Sequence, residues 1–333
     1  MLRKNEDNIV LIEGMSPKGH ILFNRFLIKI LNNKKITAVL GSSIYKSYEQ
    51  LDIDLIKFDD SFQFSNRIIL TTGFLKISLK TLFDSKKNGV KKIYFLSYDL
   101  IALPIISFIA LLLDLEIFVF EHNTIPNKFL KKVFQYFNFG KVTRICFTPS
   151  AVEIFRNINQ KTISVNHPIL NHKITSEENL SYQTLKIKKK LKTYEIVIFC
   201  PSGQSSIIDI EEKAKSYKNM LFIAKSDQRS DLENLITENY FQDYSYVMSL
   251  SDFIYLPFDY GSRISGPFFE AIFFNKKSIL SNNIFRHFTL KEFNEFVLKE
   301  EDDWNDFSKL KNKKFDLKKY NRKSKIQLVK IFE

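Results

Sequence analysis

The sequence predicts an α/β chain made of two doubly wound parallel sheets, and three observations predict it. Short apolar runs of β-forming residues alternate with helical stretches along nearly all of the 333 residues. Residues 251–283 compress strand, loop, helix and strand into a single βαβ unit. A polar, lysine-rich stretch separates two such series. The boundaries therefore read as a first domain at 1–170, a linker at 171–192, a second domain at 193–300 and a basic helical segment at 301–333.

The first series opens with a strand at 8–13, running into Gly14 and the loop to His20, then an amphipathic stretch at 21–31. Further strands are expected at 36–40, 53–58, 68–72 and 92–97, each a β-branched or aromatic run. Asp52 and Asp54 spell a metal-binding DxD, but they alternate with Leu51, Ile53 and Leu55 as the wet face of a strand does. Residues 100–113 read as a buried helix feeding a strand at 116–120. Pro126 opens a helix with the stripe Phe129, Leu130, Val133, Phe134 and Phe137. A strand at 144–148, a short helix at 149–155 and a strand at 162–166 close the series. The second series runs strand 195–200, helix 207–217, strand 220–224, helix 244–250 and strand 253–256. Pro267 suits the first turn of the next helix; a strand at 278–281 and helices at 290–298 and 316–332 follow.

Composition bounds what such a chain can do. Hydrophobic residues make up 44% and include 33 Phe, enough for two cores. Cys146 and Cys200 sit in apolar strand-like runs and read as buried free thiols in a reducing compartment, with no Cys/His cluster pointing to zinc. The polar start at 1–8 does not read as a signal peptide. The most lipid-like run, 100–120, is broken by Pro104, Asp114 and Glu116 and falls short of the ~20 apolar residues of a span. A cytoplasmic chain is expected. Net charge is +13, but 309–325 holds nine Lys or Arg and one Asp, a local +8 that leaves +5 for the rest. That distribution argues against a nucleic-acid groove across the fold.

Two places carry candidate chemistry. In open α/β sheets ligands bind beyond the carboxyl ends of strands. His20 and His122 both fall there, His122 in Glu121-His122-Asn123. Either is equally readable as an imidazole bonding loop backbone or solvent. The loop Asp259–Gly266 before Pro267 presents small residues at a helix N-terminus, an arrangement that holds anions such as diphosphates.

The order strand, Pro-Phe, Ser-Gly, Glu-Ala, Lys-Lys-Ser-Ile-Leu-Ser within 251–283 resembles the donor-site segment of GT-B glycosyltransferases, most of all the large retaining family that uses nucleotide sugars. The resemblance implies two Rossmann-like domains facing a cleft. It implies Glu270 on the ribose hydroxyls, Ser265 and Gly266 near the diphosphate, and no metal or cofactor. The family's second glutamate, eight positions earlier, is Ser262 here. Gly14, Gly19 and His20 resemble the first loop of such enzymes, where some inverting members place a histidine base. His122 resembles the histidine that retaining members set against the donor sugar. At 201–206 relatives carry Gly-Arg with a nearby Lys; this chain has Gly203 and no arginine, leaving Lys225 or Arg263 to meet phosphate charge.

The implied activity is sugar transfer from a nucleotide sugar to a glycan or lipid-linked glycan, as in enzymes of bacterial surface polysaccharides. Retention is favoured, with inversion open through His20. A silent GT-B binding subunit, a nucleotide-sugar epimerase and a basic nucleic-acid-binding protein are the rival readings. Lys128, Lys131 and Lys132 together with the basic tail suit an anionic membrane surface on the cytoplasmic side, or plain solvation of the surface.

Overall fold

The computed structural model describes residues 8–15, 20–122, 129–202, 206–259, 261–310 and 314–333, which form two compact units. The first holds 1–168, 262–264 and 322–333; the second holds 169–261 and 265–321.

The first unit contains β1 (Asn8–Glu13), β2 (Lys35–Gly41), β3 (Asp54–Phe58), β4 (Lys92–Ser97), β5 (Glu116–Glu121), β6 (Val142–Cys146) and β7 (Lys161–Ser164). All pair in parallel in the order β3-β2-β1-β4-β5-β6-β7. This is the doubly wound order, with its switch point between β1 and β4. Its helices are α1 (Ile21–Ile30), α2 (Ser42–Tyr45), α3 (Arg67–Lys87), α4 (Leu103–Leu112), α5 (Phe129–Tyr136) and α6 (Pro149–Arg156). Every residue of β1 and nearly every residue of β2, β4 and β5 is buried, as a sheet covered on both faces requires. One irregularity matters for the site. The β1–β4 register slips by one between Ile12, opposite Phe95, and Glu13, opposite Ser97.

The second unit repeats that order. Strands β8 (Ile196–Cys200), β9 (Met220–Lys225), β10 (Leu235–Glu238), β11 (Phe253–Leu256), β12 (Lys277–Leu280) and β13 (Val297–Lys299) pair in parallel as β10-β9-β8-β11-β12-β13. Helices α7 (Tyr182–Leu191), α8 (Ile207–Ser216), α9 (Tyr244–Leu250), α10 (Gly266–Phe273) and α11 (Ile284–Phe293) accompany them, and α12 (Leu317–Val329) ends the chain. Trp304 anchors this core, stacked 5.4 Å from Tyr217 and edge-on to Tyr255 at 5.0 Å.

Four expectations fail. Residues 68–72 are not a strand but the first turns of α3. Asn66 caps that helix by accepting from the Ile69 amide at 3.1 Å, and its buried stripe of Phe74, Ser78, Thr81, Leu82 and Ser85 is too polar to show as a helical period. Gly73 lets α3 approach, since a Cβ there would meet the Phe62 ring at 2.5 Å. The stretch 171–192 is not a linker. It carries α7, capped by Ser181, with Thr184 and Ile187 buried, and Asp243 accepts from the Ser181 and Thr184 hydroxyls at 2.7 and 2.8 Å. The helix expected at 290–298 lies earlier, at α11, and is followed by the edge strand β13. The tail from 301 is not one segment, because the unit boundary falls inside α12, between 321 and 322. Strand β10 was not expected at all.

Helix ends show how a chain with nine glycines makes its turns. After α10, Asn275 takes the left-handed conformation (φ 56°), its amide bonds the Ile272 carbonyl at 2.9 Å, and the Lys276 amide bonds that of Ala271 at 2.8 Å. Asp114 after α4 and Asn159 after α6 repeat this Schellman geometry. Among the described residues no helix is long and apolar enough to cross a membrane.

Candidate active site

In the first unit, chemistry gathers at the carboxyl ends of the strands flanking the switch point. Glu13 ends β1 with no exposed surface. A carboxylate so placed needs donors. Asn24, one turn into α1, donates from Nδ2 to Oε2 at 2.7 Å, and the Ser97 hydroxyl at the end of β4 donates to Oε1. The register slip is what sets Ser97 opposite Glu13. His20, just before α1, turns Nδ1 toward Glu13 Oε2 at 3.6 Å. That contact is longer than a hydrogen bond, and His20 Nδ1 is buried with no hydrogen-bond partner among the described residues.

His122, just beyond β5, lies beside His20 with ring centroids 4.2 Å apart. Phe23 at 4.8 Å and Phe147 at 5.0 Å wall it in. His167 stacks on Phe23 at 5.5 Å, its centroid 6.4 Å from that of His122. Burial, reinforced by repulsion from His20 and His167, holds His122 well below the ordinary histidine range. Burial likewise pushes His167 down to about 3, against a hydrogen bond with the Pro168 backbone. Both are neutral imidazoles at pH 7. His122 Nε2 is buried with no hydrogen-bond partner among the described residues, an orphan that a polar ligand atom would satisfy.

The preceding residue faces another way. Glu121 accepts from Arg144 Nη1 at 2.5 Å and from the Tyr98 hydroxyl at 2.9 Å. Arg144 also donates to Tyr98 at 2.7 Å and to Gln160 Oε1 at 2.8 Å, and lies over Phe155 at 4.7 Å. Burial raises the Glu121 carboxyl while Arg144 pulls it back down. This pair holds β5, β6 and α6 in place beneath His122.

In the second unit Ser265 caps α10, accepting from the Phe268 amide at 3.3 Å. Gly266 is the first helical residue, and nothing lies within 4 Å of where a Cβ would sit. Glu270, one turn on, is three-quarters buried, with Oε1 4.0 Å from His172 Nε2 and Oε2 without a partner among the described residues. Burial lowers the His172 pKa against the pull of Glu270, so the pair is not a full ion pair at pH 7. Lys225 is the half-buried last residue of β9. Ser262 and Arg263, expected with these groups, fall in the first unit, where Thr148 Oγ donates to the Ser262 carbonyl at 2.9 Å. Gly19 and Gly203 lie outside the described residues, as does Lys128. Among the described residues no group of three or more His, Cys, Asp or Glu could hold a metal ion.

Sequence reasoning thus singled out His20 and His122, which the fold brings together, and missed Glu13, Asn24, Ser97 and His167. The signal available for Glu13 was a carboxylate ending an otherwise apolar first strand.

No family model and no curated protein matches the chain. Its architecture is that of the GT-B glycosyltransferases. HepE of Anabaena, crystallised with UDP and glucose, is similar at TM-score 0.62 and 14% identity, with 98% of this chain and 94% of that one covered. A glycosyltransferase of Rickettsia africae gives 0.60 at 14% identity, covering 99% and 95%. The calicheamicin glycosyltransferase CalG4 gives 0.52 at 9%, covering 100% and 97%.

Proposed function

We propose that this chain transfers a sugar from a nucleotide-activated donor to a glycan or lipid-linked glycan acceptor, in the synthesis of a surface polysaccharide. The observation that carries this reading is Glu270, a mostly buried carboxylate one turn into α10 with one oxygen unpartnered among the described residues. A carboxylate so held is suited to two vicinal ribose hydroxyls. The bound UDP of HepE supports a uridine nucleotide as first choice. In this reading the Gly266 amide and the α10 N-terminus face the diphosphate, with Lys225 supplying positive charge. No metal is required. His20, oriented by Glu13, takes the proton of the acceptor hydroxyl if the reaction inverts; His122 faces the donor sugar if it retains.

Calorimetry with UDP, GDP, ADP and CMP tests the donor assignment. One nucleotide should bind, and Glu270→Ala should weaken it by about 1.5–3 kcal/mol, the worth of charge-assisted hydrogen bonds. Unchanged affinity in a folded variant overturns the assignment. His20→Gln if the reaction inverts, or His122→Ala if it retains, should lower turnover by about 10²–10⁴ at unchanged nucleotide affinity. Ser262 in place of the family glutamate favours a second reading, a silent binding subunit. Slow hydrolysis of the nucleotide sugar by the wild type excludes it.

A further inference from the structure

Helix α4 reads LPIISFIALL, with no charged residue, and a helix apolar on every side belongs in an interior. Here it does not lie in one. Leu103, Ile106 and Ala110 pack into the core, while Ile105 (49%), Phe108 (45%) and Leu112 (66%) stand open to solvent. The outward positions fall at i, i+3 and i+7, so they form a stripe and not scattered exposures. Phe139 extends it, its ring 5.6 Å from Phe108 and its amide held by Ser107 Oγ at 3.0 Å. Apolar residues exposed singly are ordinary, whereas a contiguous exposed stripe marks an interaction surface.

The neighbouring helix says what covers it. Helix α3 packs on the same side of the sheet, in the same core cluster as α4. Its outward face carries Lys76 and Lys80, and over its whole length it has five basic residues against one acid, Asp84. Arg67 is paired with Asp99 and the exposed Asp114 beyond α4 lies 3.5 Å from Lys141, which leaves Lys76 and Lys80 as the charges beside the stripe. An apolar stripe flanked by such lysines matches a bilayer surface, where apolar side chains enter the acyl boundary and lysines meet anionic headgroups. A second copy of this chain is a poorer match, because self-pairing through this face would set basic flank against basic flank. At ten residues α4 is too short to span.

We propose that the outward face of α4, with Phe139, is where this protein docks on an anionic lipid surface, Ile105, Phe108 and Leu112 inserting and Lys76 and Lys80 binding headgroups. The proposal extends the lipid-linked-acceptor reading above. It also shifts the anchor from the basic segments to an apolar face that composition alone did not reveal.

Flotation with phosphatidylcholine vesicles, with and without phosphatidylglycerol, tests it. The wild type should float with the anionic vesicles. The triple variant Ile105→Ser/Phe108→Ser/Leu112→Ser should lose about tenfold or more of that partition. Lys76→Gln/Lys80→Gln should lose about fivefold per lysine, with steeper loss in salt. Phe108→Trp, read against the buried Trp304, should shift its emission to the blue on adding anionic vesicles and be quenched by brominated lipid. Wild-type binding by the triple variant, with an unchanged melting temperature, overturns the proposal. So does a wild-type protein that stays with the soluble fraction, or a dimer in sedimentation velocity that the triple substitution dissolves. UDP binding is measured on the same samples. Vesicle binding without UDP binding would sink the donor assignment and leave the docking face standing.

Discussion

In the first unit the strands beside the switch point end in Glu13 and Ser97; in the second the corresponding strands end in Cys200 and Leu256 and run into Pro201 and Pro257. The strand order is the same, and the ends differ in kind. One crevice is furnished with a buried carboxylate and three imidazoles, of which His122 and His167 are held neutral by burial. The other offers a helix N-terminus, an open glycine and one carboxylate at Glu270. One backbone plan therefore ends in two kinds of group, which is why function has to be read from the ends of the strands and not from their order.

The sharpest way to break this comparison is to attack the fully buried Arg144–Glu121 ion pair of the first unit. Arg144→Met alone leaves Glu121 without its cation and should destabilise by about 3–5 kcal/mol in urea unfolding. Arg144→Met/Glu121→Leu should recover most of that loss. Equal damage in single and double variants would mean that packing over Phe155, not the ion pair, holds this corner.

Acid provides the next test. His122 and His167 are held below their unfolded pKa, so the folded state resists protons that the unfolded chain accepts. Both contributions are complete above about pH 6.5 and fall as the pH drops, that of His167 down to about pH 3. Each should cost about 1.4 kcal/mol per pH unit in that window. His167→Phe should flatten the slope of unfolding free energy between pH 6 and pH 4 by that amount. A parallel slope in the variant would place the acid sensitivity elsewhere.

The smallest effect sharpens the likeness and not the difference. Asn159 in the first unit and Asn275 in the second close their helices in the same left-handed geometry. Substituting either by Gly should stabilise by about 0.5–1 kcal/mol, measured by the same unfolding curves. A gain at one and a loss at the other would show that the two helix ends are not interchangeable.

What could be read in advance follows the range of the interactions. The Ser265-Gly266-Pro267 punctuation is local, so α10 and Glu270 were legible from adjacent letters. His20 and His122 were legible as imidazoles at strand ends. Glu13 was opaque, because its meaning depends on Asn24 eleven positions later and on Ser97 eighty-four positions later. Helices α3 and α7 were opaque for a different reason. Both bury hydroxyl side chains where a hydropathy pattern expects leucines. The exposed face of α4 inverted the same rule, since its apolar letters promised burial on all sides.

The one-residue slip between β1 and β4 has a bearing on protein engineering. A parallel sheet with regular register would set Glu13 across from Leu96, and the carboxylate would lose the Ser97 hydroxyl. Copying Glu13, His20, Asn24 and Ser97 into another Rossmann-like scaffold would therefore transfer the letters without their alignment. The graft would need the extra backbone residue as well. Deleting that residue here should silence the site while leaving every one of its side chains in the sequence.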